Sequence, residues 1–334
     1  MRGSRSFAMA SRLFDRRTRE RVWLLYAWCR ACDDLADGQD HGGAPNTRAH
    51  GDPLATIRDL TARALRGEPT GEPAFDALGV VAAETGLTAS MAEDVIAGFA
   101  LDAAGWRPRG EADTLRYCYH VAGAVGVMMA VVMGIDPTDE QTLDRACDLG
   151  IAFQLANIAR DVAEDHAAGR CYLPGQWLDE AGIPAAELML PRHREALAAL
   201  IRRLCGLERR YEASGRSGAH ALPLRQRWAV LSAAGIYGAI ARAVERGGAK
   251  ALEARVSTGA AAKLGFVARG LVESGRAPRF TQPPVFSRRE ISSFPACPEL
   301  VEGPPLFLKP GAMSKEEDNP STTSGRAASG SRIG

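Results

Sequence analysis

Two clusters of acidic residues carry the side chains in this chain that are best suited to binding a cation. They lie in residues 33–37 and 157–165. Carboxylate and amide oxygens, with no His or Cys at ligand spacing, suit a hard divalent cation. We therefore predict a Mg²⁺ site, with Mn²⁺ as the alternative metal. The predicted ligands are Asp33, Asp34, Asp37, Asn157, Asp161 and Asp165.

The spacing within each cluster indicates one face of a helix. Steps of three or four residues relate Tyr26, Arg30, Asp33 and Asp37, and also Gln154, Asn157, Asp161 and Asp165. Both clusters follow apolar segments, where an unpaired buried carboxylate costs on the order of several kcal/mol. A cation held between the two helices would offset that cost. For either cluster alone, a solvated helix face with salt bridges remains the alternative.

A helical scaffold must position both clusters. Apolar residues recur at helical period, Ala is abundant and β-branched runs are short, so we predict an all-α fold. Short segments of Gly, Pro and Asp separate the predicted helices. These helices span residues 17–37, 53–66, 73–85, 88–105, 111–133, 137–166, 184–213, 220–247 and 250–274.

The composition of the chain changes after residue 276. Residues 277–334 are rich in Pro, Ser, Gly and Arg and have no sustained hydrophobic period. We expect one catalytic domain over residues 1–276, followed by a tail that is either disordered or a non-native extension.

Charge and cysteine content argue against several other classes of protein. The 334 residues carry a formal net charge of +1, without the basic excess of an electrostatic nucleic-acid binder. The seven cysteines are scattered and odd in number, which favours free thiols in a reducing cytoplasm over a disulfide framework. The sequence shows no signal peptide and no run of about 18 uncharged apolar residues, so we expect no membrane-spanning helix.

Six short motifs occur in the order typical of one enzyme family. They are residues 4–7 (SRSF), 25–30 (LYAWCR), 33–37 (DDLAD), 117–126 (YCYHVAGAVG), 154–165 (QLANIARDVAED) and 169–174 (GRCYLP). Through these motifs, the chain resembles the squalene/phytoene synthase family over about residues 4 to 275.

The resemblance implies a fold and a reaction. The fold is the isoprenoid synthase fold, a single all-α bundle around a central cavity. The reaction is the Mg²⁺-dependent head-to-head condensation of two prenyl diphosphates. The forms of the two acidic motifs resemble those of bacterial enzymes that convert geranylgeranyl diphosphate to phytoene through prephytoene diphosphate. That reaction is the first committed step of carotenoid biosynthesis, and it needs no nicotinamide.

The resemblance also implies roles for individual residues. Those implied to bind substrate are Ser4, Ser6, Phe7, Arg30, Gln154, Arg160, Arg170 and Arg255. Those implied to act in catalysis are Tyr26, Asp33, Asp37, Tyr117, Asp161 and Tyr237. Aromatic faces near the reacting carbons stabilise carbocations by on the order of 1 to 2 kcal/mol when they are desolvated. Packed core tyrosines with satisfied hydroxyls remain the alternative for the three tyrosines.

Two further hypotheses about function stay open at this point. One is a squalene, dehydrosqualene or presqualene diphosphate synthase that uses farnesyl diphosphate. The other is a non-catalytic helical scaffold that keeps the fold. Amphiphilic substrates and an oily product predict peripheral contact with the inner face of the cytoplasmic membrane. The oligomeric state is not predicted.

Overall fold

Helices form most of the part of the chain that the structure describes. This computed structural model describes residues 10–36, 52–276 and 283–289, and the backbone of residues 39–40 and 44–45. The α-helices in these ranges are α1 (Arg16–Ala36), α2 (Pro53–Leu65), α3 (Pro73–Thr85), α4 (Ala89–Ala103), α5 (Glu111–Cys118), α6 (Ala124–Val132), α7 (Glu140–Ala167), α8 (Gly175–Glu180), α9 (Arg194–Gly218), α10 (Leu224–Gly247) and α11 (Ala260–Ser274). The two-residue strands β1 (Gln39–Asp40) and β2 (Ala44–Pro45) pair in antiparallel register.

The long helix α7 buries side chains along most of its length and packs against α6, α9 and α10. Small residues allow these helices to approach closely. A Cβ atom on Gly126 of α6 would lie 2.6 Å from the carbonyl oxygen of Ala146 of α7. A Cβ atom on Gly215 of α9 would lie 2.5 Å from the Cβ atom of Leu149. The predicted all-α fold is confirmed.

One predicted helix was wrong in its first third. Residues 184–193 do not continue α9 but contain two short 3₁₀ turns, Ala185–Glu187 and Pro191–His193. Pro184 and Pro191 explain the break, because proline has no backbone N–H and disfavours a helical residue before it. Similarly, α11 begins at Ala260 rather than at residue 250.

Helix α5 continues into α6 through a single π-helical turn, Tyr119–Gly123. By length and composition alone, the combined helix Glu111–Val132 would suffice to cross a membrane. However, 61% of its most apolar window is buried inside the fold, as expected for a core helix. Because π turns occur often at functional sites, the residues of this turn are candidates for lining such a site.

Residues 283–289, which fall within the predicted tail, lie against α7. Asp148 of α7 is fully buried and accepts hydrogen bonds from the backbone N–H groups of Val285 (2.9 Å) and Phe286 (3.0 Å). It also accepts a hydrogen bond from Ser214 Oγ. The Phe286 side chain is itself buried. The folded part of the chain therefore extends beyond the predicted end of the domain, and the rest of the predicted tail lies outside the described residues.

A buried carboxyl group on α9 lacks a hydrogen-bond partner. Glu208 is only 1% exposed, and neither of its carboxyl oxygens has a partner among the described residues. Burial, together with the negative charge of Glu212, raises the pKa of Glu208 to about 8. The protonated acid is therefore the form that the core accommodates at neutral pH.

We expect Glu208 to make the protein less stable as the pH rises through about 8. Its pKa is higher in the folded chain than in the unfolded chain, so its stabilising contribution is fully present below the ordinary glutamate pKa and is lost at alkaline pH. Glu208→Gln should therefore gain stability relative to the wild type as the pH is raised. Urea unfolding at about pH 6 and about pH 9 measures this difference. The exposed Glu195→Gln on the same helix is the control, and an equal pH response of the two variants would contradict the prediction.

Candidate active site

An apolar cavity of about 360 Å³ lies beside α7. Helix α7 contributes to it along four turns, through Thr142, Ala146, Gly150, Gln154 and Asn157. Most of the other walls are apolar or aromatic and include Tyr26, Val121, Ala122, Val125, Gly126, Met129, Phe153, Val230 and Tyr237. The cavity is therefore polar at the end where the amides of Gln154 and Asn157 lie and apolar over most of its length.

A second cavity, of about 290 Å³, adjoins the first and is more polar. The two cavities share Val121, Val125 and Gln154 as lining residues. The other lining residues of the second cavity are Cys29, Arg30, Asp33, Val95, Gly98, Phe99, Asp102 and Tyr117. The π turn supplies Val121, so the irregular part of that helix forms the wall between the cavities. The site therefore has two lobes that meet at Gln154.

The first acidic cluster reaches the second cavity through Arg30 and Asp33. The guanidinium of Arg30 donates hydrogen bonds to Asp33 and to Asp34, the latter at 3.0 Å. Asp34 is the more buried of the two aspartates. Asp37, predicted as a ligand on the next turn, lies outside the described residues.

The second acidic cluster continues along α7 beyond Asn157. Asp161 accepts hydrogen bonds from Arg160 Nε at 2.7 Å and from Arg255 Nε at 2.9 Å. Burial raises the pKa of Asp161, but the hydrogen bonds from these two arginines outweigh it, so the pKa lies below its ordinary value. Arg255 comes from the loop before α11, so two distant parts of the chain meet at this carboxylate.

Asp165, one turn further along α7, has less positive charge around it. Its nearest cation, Arg170, lies 3.8 Å away and is mostly exposed. Burial raises the pKa of Asp165 to about 6, and the negative charges of Asp161, Glu164 and Asp102 add to the effect. Because Asp102 lines the second cavity, Asp165 lies within electrostatic range of that cavity.

The donor set fits a hard cation, although the carboxylates are paired with arginines here. Among the described residues, no three His, Cys, Asp or Glu side chains form a ready metal site. Arg30, Arg160 and Arg255 instead neutralise part of the acidic charge. The remaining excess of partly buried negative charge near Asp165 is the kind that a divalent cation would relieve. Oxygen donors alone, without imidazole or thiolate, match the preference of Mg²⁺.

Two tyrosine hydroxyls converge on Asp102 at the second cavity. Tyr117 and Tyr172 both donate hydrogen bonds to Asp102 Oδ1, at 2.9 and 3.2 Å. Their rings stack with centroids 4.6 Å apart. Burial, with the charge of Asp102, raises the pKa of both hydroxyls, so they stay protonated at neutral pH. Asp102 was not predicted as a site residue, because a lone acid near the end of the apolar helix α4 carries no distinctive spacing. Tyr172 was given no role, although this residue lies in the motif of residues 169–174.

We expect Asp102→Ala to lower kcat/KM by about 10- to 100-fold, because the two hydroxyls lose their common acceptor. If Asp102 acts by positioning Tyr117, the double variant with Tyr117→Phe should show a coupling energy on the order of 1 kcal/mol. The matched control is Asp94→Ala. Asp94 accepts a hydrogen bond from another buried tyrosine, Tyr119, at 2.7 Å but lines neither cavity. Equal losses of activity in the two aspartate variants would contradict a positioning role.

The structure brings most of the predicted site residues to the two cavities and the acidic clusters beside them. Tyr26, Arg30, Asp33, Tyr117, Gln154, Asn157 and Tyr237 line one or both cavities. The ring of Tyr237 stacks on Phe153 at 4.3 Å. Arg170 lines neither cavity and contacts only the edge of the site at Asp165. The predicted substrate ligands Ser4, Ser6 and Phe7 lie outside the described residues.

Comparisons with known proteins agree with the motifs. The profile of the squalene/phytoene synthase family matches residues 1–261. A phytoene synthase from Pseudescherichia vulneris is 45% identical, over 84% of this chain and 92% of its own length. A 15-cis-phytoene synthase from Enterobacter agglomerans is 46% identical, over 79% of this chain and 90% of its own length. A dehydrosqualene synthase crystal structure superposes with a TM-score of 0.69 at 26% identity, covering 80% of this chain and 91% of that one.

Proposed function

Since the chain belongs to the squalene/phytoene synthase family, we propose that it joins two geranylgeranyl diphosphate molecules head to head. The product is phytoene, formed through prephytoene diphosphate with release of diphosphate. The observation that carries this proposal is the pair of cavities that meet at Gln154 beside both acidic clusters. A head-to-head reaction needs two prenyl chains whose diphosphate ends lie together, and two adjoining lobes meet that need. The bacterial relatives named phytoene synthase support the choice of substrate.

Several arginines can hold the diphosphate groups near the acids. Arg30 lies at the second cavity, and Arg160 and Arg255 lie together at Asp161. A guanidinium offers paired N–H donors that match phosphate oxygens. Arg255 is more than half exposed and lies on a loop, so it can turn from Asp161 to an arriving diphosphate without loss of core packing.

We propose that Asp33, Asp34, Asn157, Asp161 and Asp165 hold Mg²⁺ when diphosphate is bound. Bound Mg²⁺ acts as a Lewis acid that neutralises the charge of the diphosphate leaving group. Mn²⁺ offers the same coordination chemistry, and no nicotinamide is required for this product. The oxygen-only donors and the excess of partly buried negative charge around Asp165 support this assignment.

The apolar lobe keeps water away from the reacting carbons. Val121, Val125 and Phe153 surround the junction with side chains that offer no nucleophile. Excluding water favours attack by the second substrate's double bond over hydrolysis. Tyr237 lines the same lobe with one face of its ring stacked on Phe153, and its other face would stabilise positive charge on a bound substrate.

Incubation of the purified protein with Mg²⁺ and single substrates tests the proposal. Geranylgeranyl and farnesyl diphosphates are supplied separately, without nicotinamide, and the hydrocarbons are identified by mass spectrometry. We expect a C40 hydrocarbon from geranylgeranyl diphosphate and its loss in EDTA. A C30 product or a stalled cyclopropyl diphosphate from farnesyl diphosphate alone would move the function to the squalene branch. No turnover of either substrate, with the protein folded, would support a scaffold.

We also propose that the protein works in the cytoplasm at the inner membrane surface. The amphiphilic substrates and the C40 hydrocarbon product partition into lipid, so peripheral contact shortens their path. The six cysteines in the described part of the chain are free thiols, which supports a reducing compartment.

A further inference from the structure

The last described helix, α11, buries very little of its apolar surface. Its sequence is AAAKLGFVARGLVES, yet Gly270 and Ser274 are its only buried residues. It packs mainly on α10, where the ring of Phe266 lies against Gly235. An apolar helix of this kind normally buries a whole face.

The outward side of α11 carries an unusual concentration of exposed apolar side chains. Leu264, Leu271 and Val272 are 65%, 47% and 62% exposed. They make up half of the strongly exposed large apolar side chains in the described ranges. Positions 264, 268 and 271 lie on one helix face, so Ala268 connects the two leucines. We call Leu264, Ala268, Leu271 and Val272 the α11 stripe.

Positive charge borders the α11 stripe. Lys263, Arg269 and Arg276 are the cations of this helix and its end, and the one acid, Glu273, is engaged with Arg216. A groove of about 870 Å³ lies beside the stripe, between α9, α10 and α11. Its charged lining comprises Arg216, Arg242, Arg269, Arg276, Glu212 and Glu273, together with His220. Within the described residues, no carboxylate forms an ion pair with Arg269 or Arg276.

We propose that the α11 stripe and the arginine-lined groove together bind the surface of an anionic phospholipid bilayer. Exposed apolar side chains enter the boundary between headgroups and acyl chains, while arginines at the border meet lipid phosphates. A second copy of this chain fits the face less well, because a two-fold contact centred on the stripe would bring the arginines at the border of one copy near those of the other.

The position of α11 links this surface to the candidate active site. On its inner side, α11 packs on α10, whose Val230, Ala233 and Tyr237 line the apolar cavity. The loop before α11 carries Arg255, which binds Asp161. Bilayer contact would therefore place lipid one helix away from the cavity. In this respect the inference rests on the proposed function, which supplies lipid-soluble substrate and product.

Vesicle flotation of the full chain, without substrate, tests the proposal. We expect the wild type to float with phosphatidylcholine vesicles that contain phosphatidylglycerol and to bind weakly to phosphatidylcholine alone. High salt should weaken the binding, because surface charge attraction is screened. The double variant Leu264→Glu/Leu271→Glu should bind the anionic vesicles at least about tenfold more weakly, because it loses two apolar side chains that would enter the bilayer. Arg269→Glu should lower binding to the anionic vesicles selectively.

The charge-matched control is Val80→Glu/Leu190→Glu, which changes two exposed apolar residues elsewhere and should bind like the wild type. Equal losses in the two double variants, or no binding by the wild type, would overturn the proposal. So would sedimentation showing a wild-type dimer that Leu264→Glu/Leu271→Glu separates, because the stripe would then be an interface between copies. Circular dichroism verifies folding. Since no substrate is present, the outcome does not depend on which diphosphate the enzyme uses.

Discussion

Asp161→Asn is expected to lower kcat/KM for phytoene formation by about 10²- to 10³-fold while the protein stays folded. Asp161 is the carboxylate on which Arg160 and Arg255 converge, next to the amides of the apolar cavity. The substitution removes the charge that would hold Mg²⁺ and weakens the placement of both arginines. Steady-state kinetics with geranylgeranyl diphosphate measures the loss.

A second readout separates metal binding from turnover. Added Mg²⁺ with inorganic diphosphate should raise the melting temperature of the wild type and do so much less for Asp161→Asn. The matched control is Asp144→Asn on the same helix, because Asp144 also pairs with an arginine, Arg288, at 2.6 Å but lines neither cavity. If Asp161→Asn keeps both its turnover and its Mg²⁺ response, the proposed metal site is wrong.

Ala146→Phe is expected to shift substrate preference from geranylgeranyl towards farnesyl diphosphate. The apolar cavity follows α7 from Asn157 to Thr142, a distance of about 22 Å at the helical rise per residue. Ala146 lies one turn before the apolar end, so a phenyl ring there shortens the space for the chain. We expect kcat/KM for the C20 substrate to fall by about 10- to 200-fold, and that for the C15 substrate to fall far less.

Competition between the two diphosphates, with products separated by mass, measures this shift. Ala146→Ser is the control, because it keeps the length of the cavity and should keep the preference for the longer chain. An unchanged ratio of C40 to C30 products in Ala146→Phe would show that the α7 cavity does not hold the prenyl chain.

The sequence predicted the parts of the site that repeat along one helix. Gln154, Asn157 and Asp161 recur at helical spacing, and such spacing places side chains on one face wherever the helix lies. It cannot show what a different helix brings to the same place. Asp102 reaches the site from α4, and only the packing of α4 against the π turn reveals its contact with Tyr117.

The same limit applies to the fold. A long amphipathic segment such as α10 was predictable because its apolar residues follow a regular period. The break at residues 184–193 depended on two prolines whose effect competes with an otherwise helical pattern. The segment 283–289 was missed, because its amides and its Arg288 side chain contact acids of α7 about 140 residues earlier, and a local sequence pattern does not show such distant contacts.

The hydrogen bonds to Asp148 limit where the chain can be truncated or tagged without loss of stability. A chain ended at Arg276 would lack the two amides that donate to this buried carboxylate, leaving Ser214 as its remaining donor among the described residues. It would also expose the apolar surface against which the buried Phe286 side chain packs. An expression fragment that ends at Arg276 would therefore expose a carboxylate and apolar surface that the longer chain buries. Truncation points and affinity tags therefore belong beyond Arg289.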